Sequence, residues 1–574
     1  MLNHSGEWPV NHEVDTLKFR NSFAARSVLG LASLALVATL GSCAQSQRDP
    51  EGTSSEGGTD STFVFAGSSD PLMLDPALAS DGETFRVARQ MFEGLVGAAP
   101  GTTDVEPLLA TEWETAEDGK SHTFTLREGV KFHDGTDFNA EAVCANFERW
   151  YNWTGLNQNE NISAYYNQLF RGFKTGKTGG VYQSCEAPNP TSATIKLASP
   201  FAAFVQAMTL PAFSMQSPTA MKEHDADNTT GTLDDTRFSA YATEHPTGTG
   251  PYKFEKWERG QAVTLKANPD YWGDKAKTET VIIRTISDTR ARVQELEAGS
   301  IDGFDLVGPG DVDALKSKGF QIQNRPAFNI LYLAFDQENK VLQDVRVRQA
   351  LTHAIDREAL IKSSLPPGSK AATQFMPDLV NGYNPNVTQY PYDPEKAKAL
   401  LKEAGQEKLT LKFAYPTGVS RPYMPTPEDT FQVLKSQLEA VGITITPVSK
   451  KWSPDYLDMS KTEAGAKERD IHLLGWTGDY NDPDNFLGVF FGTKGFEWGF
   501  DNKKLFADLK AARELPSIEE QQPVYEKISE DIAKFAPGVP LAHPAPSLAF
   551  AKEVQGYVAS PVQDEVWNNV TITR

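Results

Sequence analysis

A chain of 574 residues is too long to fold around one hydrophobic core, so two or more domains are expected. Its composition, 39% hydrophobic and 23% charged, is that of an ordinary globular protein, and 36 Pro and 43 Gly point to many turns and loops. Lys and Arg number 55 against 76 Asp and Glu, and the resulting net charge of -21 argues against a nucleic-acid partner, because phosphate binding needs a basic face.

Lys18, Arg20 and Arg26 precede an uncharged apolar run from Val28 to Leu40 that is too short to span a bilayer. A basic segment followed by a short apolar one is a secretory signal. Leu40-Gly41-Ser42-Cys43 then puts small residues ahead of a cysteine, which resembles the lipobox of bacterial lipoproteins. The resemblance implies a signal peptide over 1–42, cleavage before Cys43 and acylation of its thiol. Residues 1–17 are long and polar for such a signal, so translation is expected to start downstream. Residues 43–61, rich in Ser, Gly, Thr, Glu and Asp, bury no core and read as a flexible tether. With Cys43 lipidated, Cys144 and Cys185 remain as an even pair in an oxidising compartment, and a disulfide is expected. No metal-type Cys/His spacing surrounds either one, and neither a metal nor a cofactor is expected.

Order begins with a strand at 62–66, followed by the turn Leu74-Asp75-Pro76 and a segment to Val96 in which Phe85, Ala88, Met91, Phe92 and Leu95 share a helical face. Strand-like alternation at 122–126, a helix at 140–150 and the glycine-rich corner 248–252 come next. A strand, a helix and Gly303 follow between 281 and 304. The second half reads more clearly. A helix is expected over 344–361, with Val347, Leu351 and Ile355 in register. Asp393-Pro394 opens another helix, which Gly405 closes. A strand at 410–415, a helix from Thr426-Pro427 to about 441 and a strand at 443–448 make a βαβ unit. Ser453-Pro454 starts another helix, and 471–476 is a third strand.

Arg421 falls after the first of these strands, Trp452 after the second and Asp479 after the third. Open α/β sheets bind ligands outside the carboxyl ends of their strands. Gly475 and Gly478 read as turn glycines delivering Trp476, Asp479 and Tyr480 at the third strand's end. A cation, an aromatic wall and an anion suit a small zwitterion, Arg421 gripping a carboxylate and Asp479 accepting an ammonium. The bland alternatives are a solvated loop arginine and a turn-capping aspartate.

From Phe63 to the C-terminus the chain resembles family 5 of the extracytoplasmic solute-binding proteins of ABC transporters. The resemblance is carried by Leu74-Asp75-Pro76, Phe92-Glu93-Gly94-Leu95, the run from Thr123 to Gly135, Gly248-Thr249-Gly250-Pro251-Tyr252, the run from Asp344 to Ala350, and the run from Tyr392 to Ala397. It implies an α/β, two-lobed periplasmic-binding-protein fold of class II, the large three-subdomain type, with a hinge between lobes. The expected division is 62–98 as the first part of lobe I, 99–208 as its second part, 209–323 as the first part continued, 324–544 as lobe II and 545–574 returning to lobe I. Hinge strands are expected near 324–328 and 540–546.

Within the site, the run from Gly475 through Trp476 to Asp479 resembles the family motif whose Asp receives a peptide ammonium. Arg421-Pro422-Tyr423 resembles the dipeptide binders' carboxylate-reading element, and Trp452 the aromatic lining the side-chain pocket. Gly67 and Ser68 resemble a first-lobe strand touching ligand backbone. The Cys144/Cys185 pair departs from that family pattern. The function implied is capture of dipeptides or short oligopeptides for a membrane permease and its ATPase subunits, by a monomer held to the outer face of a bacterial cell membrane by lipid alone. The same fold holding an oligosaccharide, a metal chelate or haem is the alternative. An enzyme is not expected: Gly176-Lys177-Thr178 lacks the glycine a phosphate loop needs at 171, the stretch after Asp479 lacks a calcium loop's glycine, and no HExxH or GxSxG pattern occurs. His133 and His472 read as structural.

Overall fold

The computed structural model describes residues 61–176 and 180–574. The signal segment, Cys43 and the tether up to residue 60 lie outside the described residues, as do Lys177 and Thr178 of the rejected phosphate-loop stretch. No helix among the described residues is long and apolar enough to cross a membrane.

Two large mixed sheets organise the chain. The first has seven strands in the order Tyr252–Glu258, Ala262–Ala267, Thr280–Thr285, Thr62–Gly67, Gly303–Asp305, Ser547–Phe550 and Gln321–Asn324. The second has six, in the order Lys370–Ala371, Gly538–His543, Asn329–Phe335, Ile471–Thr477, Thr410–Thr417 and Thr444–Lys451. The chain passes between the sheets twice, at 325–328 and 544–546.

The central strands of both sheets are buried on two faces, and the alternation of side chains along a strand explains how. In Thr62–Gly67, Phe63 and Phe65 enter one core while Val64 and Ala66 enter another. In Asn329–Phe335 every residue is buried; Leu331, Leu333 and Phe335 face one core, Ile330, Tyr332 and Ala334 the opposite one. Apolar residues at both parities are what a central strand between two helical layers requires.

A separate antiparallel sheet orders Ala110–Thr115, Ser121–Leu126, Ser192–Leu197 and Tyr182–Asn189. Its core is aromatic, with Phe147, Trp150, Phe170, Tyr182 and Phe204 buried together. The expected disulfide joins Cys144, on the helix Ala140–Asn152, to Cys185 on the edge strand, across 41 residues. Replacing both cysteines with serine is expected to cost roughly 2–4 kcal/mol by freeing that loop in the unfolded chain. Urea unfolding checks this; an unchanged midpoint would show that the loop is constrained by other means.

Two sequence expectations are corrected. The helix expected over 344–361 is two helices, Val345–His353 and Arg357–Ser364. The break is chemical: the Asp356 side chain accepts the Ala359 N–H at 3.0 Å, capping a new helix. Val347, Leu351 and Ile355 are all buried nonetheless, so the apolar pattern located the core and missed the cap. Likewise the face running to Leu95 belongs to a helix that ends at Met91, after which Leu95 leads into the strand Val96–Ala98.

Candidate ligand site at three strand ends

Thr410–Thr417 pairs in parallel with Thr444–Lys451 along its whole length, Thr417 lying opposite Lys451. On its other side it pairs in parallel with Ile471–Thr477 through Phe413 and Ala414. The three carboxyl ends therefore lie at one end of the sheet, where α/β folds place ligands. The crossing segment 325–328 reaches the same end, since Asn329 pairs with Thr477.

Arg421 sits in a small bridge with Met424, the two backbone N–H groups bonding the opposite carbonyls at 3.1 and 2.9 Å. Its guanidinium lies over the Trp452 indole, 4.5 Å from the ring centroid. That contact holds the cation by the negative face of the ring. Among the described residues no carboxylate pairs with it, and its Nε is buried without an acceptor. Trp452 stacks on Tyr456, whose hydroxyl bonds the carbonyls of Ala414 and Leu473 and so ties two of the strands together.

Asp479 is partly buried two residues beyond its strand. Oδ1 accepts from the Tyr165 hydroxyl at 2.8 Å, and Oδ2 from Asn485 Nδ2 at 3.3 Å. Asn485 Oδ1 accepts the Asp479 N–H at 2.8 Å, fixing the loop. Burial pushes the Asp479 carboxyl up to about 6, opposed by those two hydrogen bonds and by the attraction of Arg89. Arg89 is committed elsewhere, 3.3 Å from Asp564. No cation forms an ion pair with Asp479 among the described residues. The site thus offers a guanidinium and a carboxylate, each braced and neither neutralised.

Gly475 and Gly478 are not turn glycines. Gly475 lies inside the strand, and neither has a positive φ. Both are glycine because neighbours come close: a Cβ on Gly475 would strike the Tyr423 ring and the Ile330 carbonyl, and one on Gly478 would strike Phe328 and Phe486. Tyr423 is therefore seated on the strand by the missing side chain. Trp476 remains in the strand opposite Ile330, half-buried, its indole N–H without an acceptor.

Gly67 and Ser68 are placed differently. Ser68 N–H and hydroxyl both donate to Glu83 Oε1, at 3.0 and 2.8 Å, and the Gly67 carbonyl accepts from Ile286. These bonds occupy the two Ser68 donors and the Gly67 carbonyl, and among the described residues no hydrogen bond joins either residue to Arg421 or Asp479. Sequence reasoning missed Tyr165, which reaches Asp479 from a helix 314 residues earlier in the chain. Asn485, six residues after Asp479, was likewise missed. His472 is buried and His133 half-buried, and desolvation lowers both pKa values, that of His133 to about 4.

The family profile described as bacterial extracellular solute-binding proteins, family 5 Middle, matches residues 104–498. The dipeptide-binding protein of Escherichia coli (strain K12) is 31% identical over 525 residues, 89% of this chain and 94% of the relative. Heme-binding protein A of Haemophilus influenzae is 29% identical over 562 residues, 95% of this chain and 99% of the relative. An ABC transporter-associated periplasmic binding protein from Helicobacter pylori, solved in complex with the peptide STSA, has a TM-score of 0.74 at 26% identity, covering 90% of this chain and 99% of that one. The chain belongs to family 5 of the bacterial extracellular solute-binding proteins.

Proposed function

We propose that this protein is the substrate-capturing component of an ABC importer and binds dipeptides or short peptides as zwitterions. The carrying observation is a carboxylate, Asp479, and a guanidinium, Arg421, each without an ion-pair partner among the described residues, at the ends of adjacent parallel strands. A peptide α-ammonium is assigned to Asp479 and its α-carboxylate to Arg421, with Trp452, Tyr423 and Trp476 as apolar walls and Gly475 as the seat of Tyr423. Gly67 and Ser68 contribute to backbone contact only where Glu83 releases them. Relatives named for dipeptides, and the neighbour solved with a peptide, support this reading. A lipid on Cys43 anchors a monomer at the outer face of the membrane, beside permease and ATPase subunits, and the protein carries out no catalysis.

Lobe closure follows from the same chemistry. Tyr165 on one lobe already bonds Asp479 on the other, so a ligand held at Asp479 is touched from both sides only when the lobes meet. The test is calorimetry with Ala-Phe and with its C-terminal amide, haem serving as the comparison ligand. The amide is expected to bind at least about tenfold more weakly, the loss of one charge-assisted pair. Equal affinities would show that Arg421 reads no carboxylate, and binding of haem alone would replace the peptide reading with the alternative solute.

A further inference from the structure

A cavity of about 150 Å³ lies near the other edge of the six-stranded sheet, bordered by Ala371 of the edge strand and by Gly538 and Pro540 of its neighbour. None of the residues assigned to peptide binding lines it. Its walls are largely apolar, with Phe375, Leu487 and Ile532 among them, and among the described residues its one charged lining residue is Arg357, at the start of the helix Arg357–Ser364.

Arg357 is half-buried and unusually placed. Nε donates to the Pro540 carbonyl at 2.8 Å and Nη1 to the Tyr390 carbonyl at 3.1 Å, which fixes the guanidinium against the cavity. Nη2 has no protein acceptor among the described residues, and no carboxylate there forms an ion pair with Arg357. Glu530, which takes both donors of the lining residue Thr388, is itself paired with Lys534 at 2.9 Å. Burial lowers the Arg357 pKa to about 10, so it stays a cation at neutral pH while losing water. A further lining residue, Ser529, is 2% exposed, and its hydroxyl, which can donate, has no partner among the described residues. A partly desolvated cation without a counter-ion is costly, and an anion brought to it offsets part of that cost. A cavity of this volume holds about one benzene ring.

We propose that this cavity is a second ligand site, separate from the peptide site, for a small monocarboxylate with a compact apolar body such as an aromatic or branched aliphatic acid. The carboxylate meets Arg357 and the body fills the space beside Phe375, Leu487 and Ile532.

The probe is sodium benzoate, titrated calorimetrically into the whole protein with and without saturating Ala-Phe. One-site binding is expected with a Kd of about 0.1–1 mM, and benzamide at least about tenfold weaker. Arg357→Gln should abolish the benzoate signal while leaving Ala-Phe affinity unchanged. Ala533→Phe, which fills the cavity and keeps the cation, should do the same, so the test does not depend on one variant folding. The proposal is overturned if benzoate and benzamide bind alike, if Ala-Phe displaces benzoate, if binding survives Ala533→Phe, or if nothing saturates by about 10 mM. Benzoate binding in a protein that ignores Ala-Phe would defeat the peptide reading and leave this one standing.

Discussion

Asp479→Ala is expected to weaken dipeptide binding by roughly two to four decades, equivalent to about 3–5 kcal/mol for leaving a buried charge unpaired. The size follows from the surroundings of Asp479. Tyr165 and Asn485 orient its two oxygens without neutralising them, so the arriving ammonium supplies the first full counter-charge. Asp479→Asn keeps the side chain's shape and should lose nearly as much. Calorimetry giving either variant an affinity within about threefold of wild type would remove Asp479 from the site.

A pH profile provides an independent check. The ligand-free carboxyl titrates at about 6, because burial penalises its charged form, whereas the ammonium complex needs it ionised. Lowering the pH from 7 to 5 should therefore cost about tenfold in affinity, with the loss setting in near pH 6. For the ligand-free protein the sign reverses. Between the ordinary value of 3.8 and about 6 the native state binds more protons than the unfolded one, so Asp479's contribution to stability falls as pH rises through that window.

The second large effect is expected at Arg325, in the first crossing between the sheets. Its guanidinium grips Glu565 with two bonds of 2.7 Å and reaches Asp305 at 3.1 Å, and the side chain is 1% exposed. Asp305 also pairs with Arg86, which pairs with Glu83, so the crossing is tied to the helix Gly82–Met91 through a continuous buried chain of charges. Arg325→Met should cost about 3–5 kcal/mol, because it strands Glu565 and removes one of the two cations at Asp305. Arg325→Lys should recover part of this, since it keeps the charge and loses the fork. Urea unfolding is the measurement, and a loss below about 1 kcal/mol for Arg325→Met would show that the remaining partners satisfy both acids. Despite their burial, the cations hold the carboxyls of Asp305 and Glu565 below their ordinary values. Their stabilisation is therefore present above the unfolded values of 3.8 and 4.5 and is lost as pH falls below that range.

Much of this was legible along the chain because it depends on local pattern. The strands at 62–67, 410–417 and 471–477 announce themselves by apolar runs, and the helix Pro394–Glu403 by its Asp393 cap and Gly405. The alternation of strand and helix from 410 to 477 was enough to put Arg421, Trp452 and Asp479 at three strand ends. The helix break at Asp356 was missed because a local cap was overlooked, whereas at the site contacts outside the strand pattern decided the outcome. Gly475 and Gly478 looked like turn residues, yet they are glycine because Tyr423, Phe328 and Phe486 press on them. Ser68, given a ligand-backbone role by resemblance, donates its N–H and its hydroxyl to Glu83.

By itself the sequence determined the family, the parallel βαβ unit and the charges placed at its ends, because periodicity, caps and motif spacing are properties of neighbouring residues. Only the tertiary structure decided which of those charges stay unpaired. It brought Tyr165 to Asp479 across 314 residues, engaged Ser68 with Glu83, and left Arg357 facing a cavity with no acid among the described lining residues. The physical reason is that an ion's state depends on the water it loses and the partner it gains on folding. Both are supplied by parts of the chain that no local pattern connects.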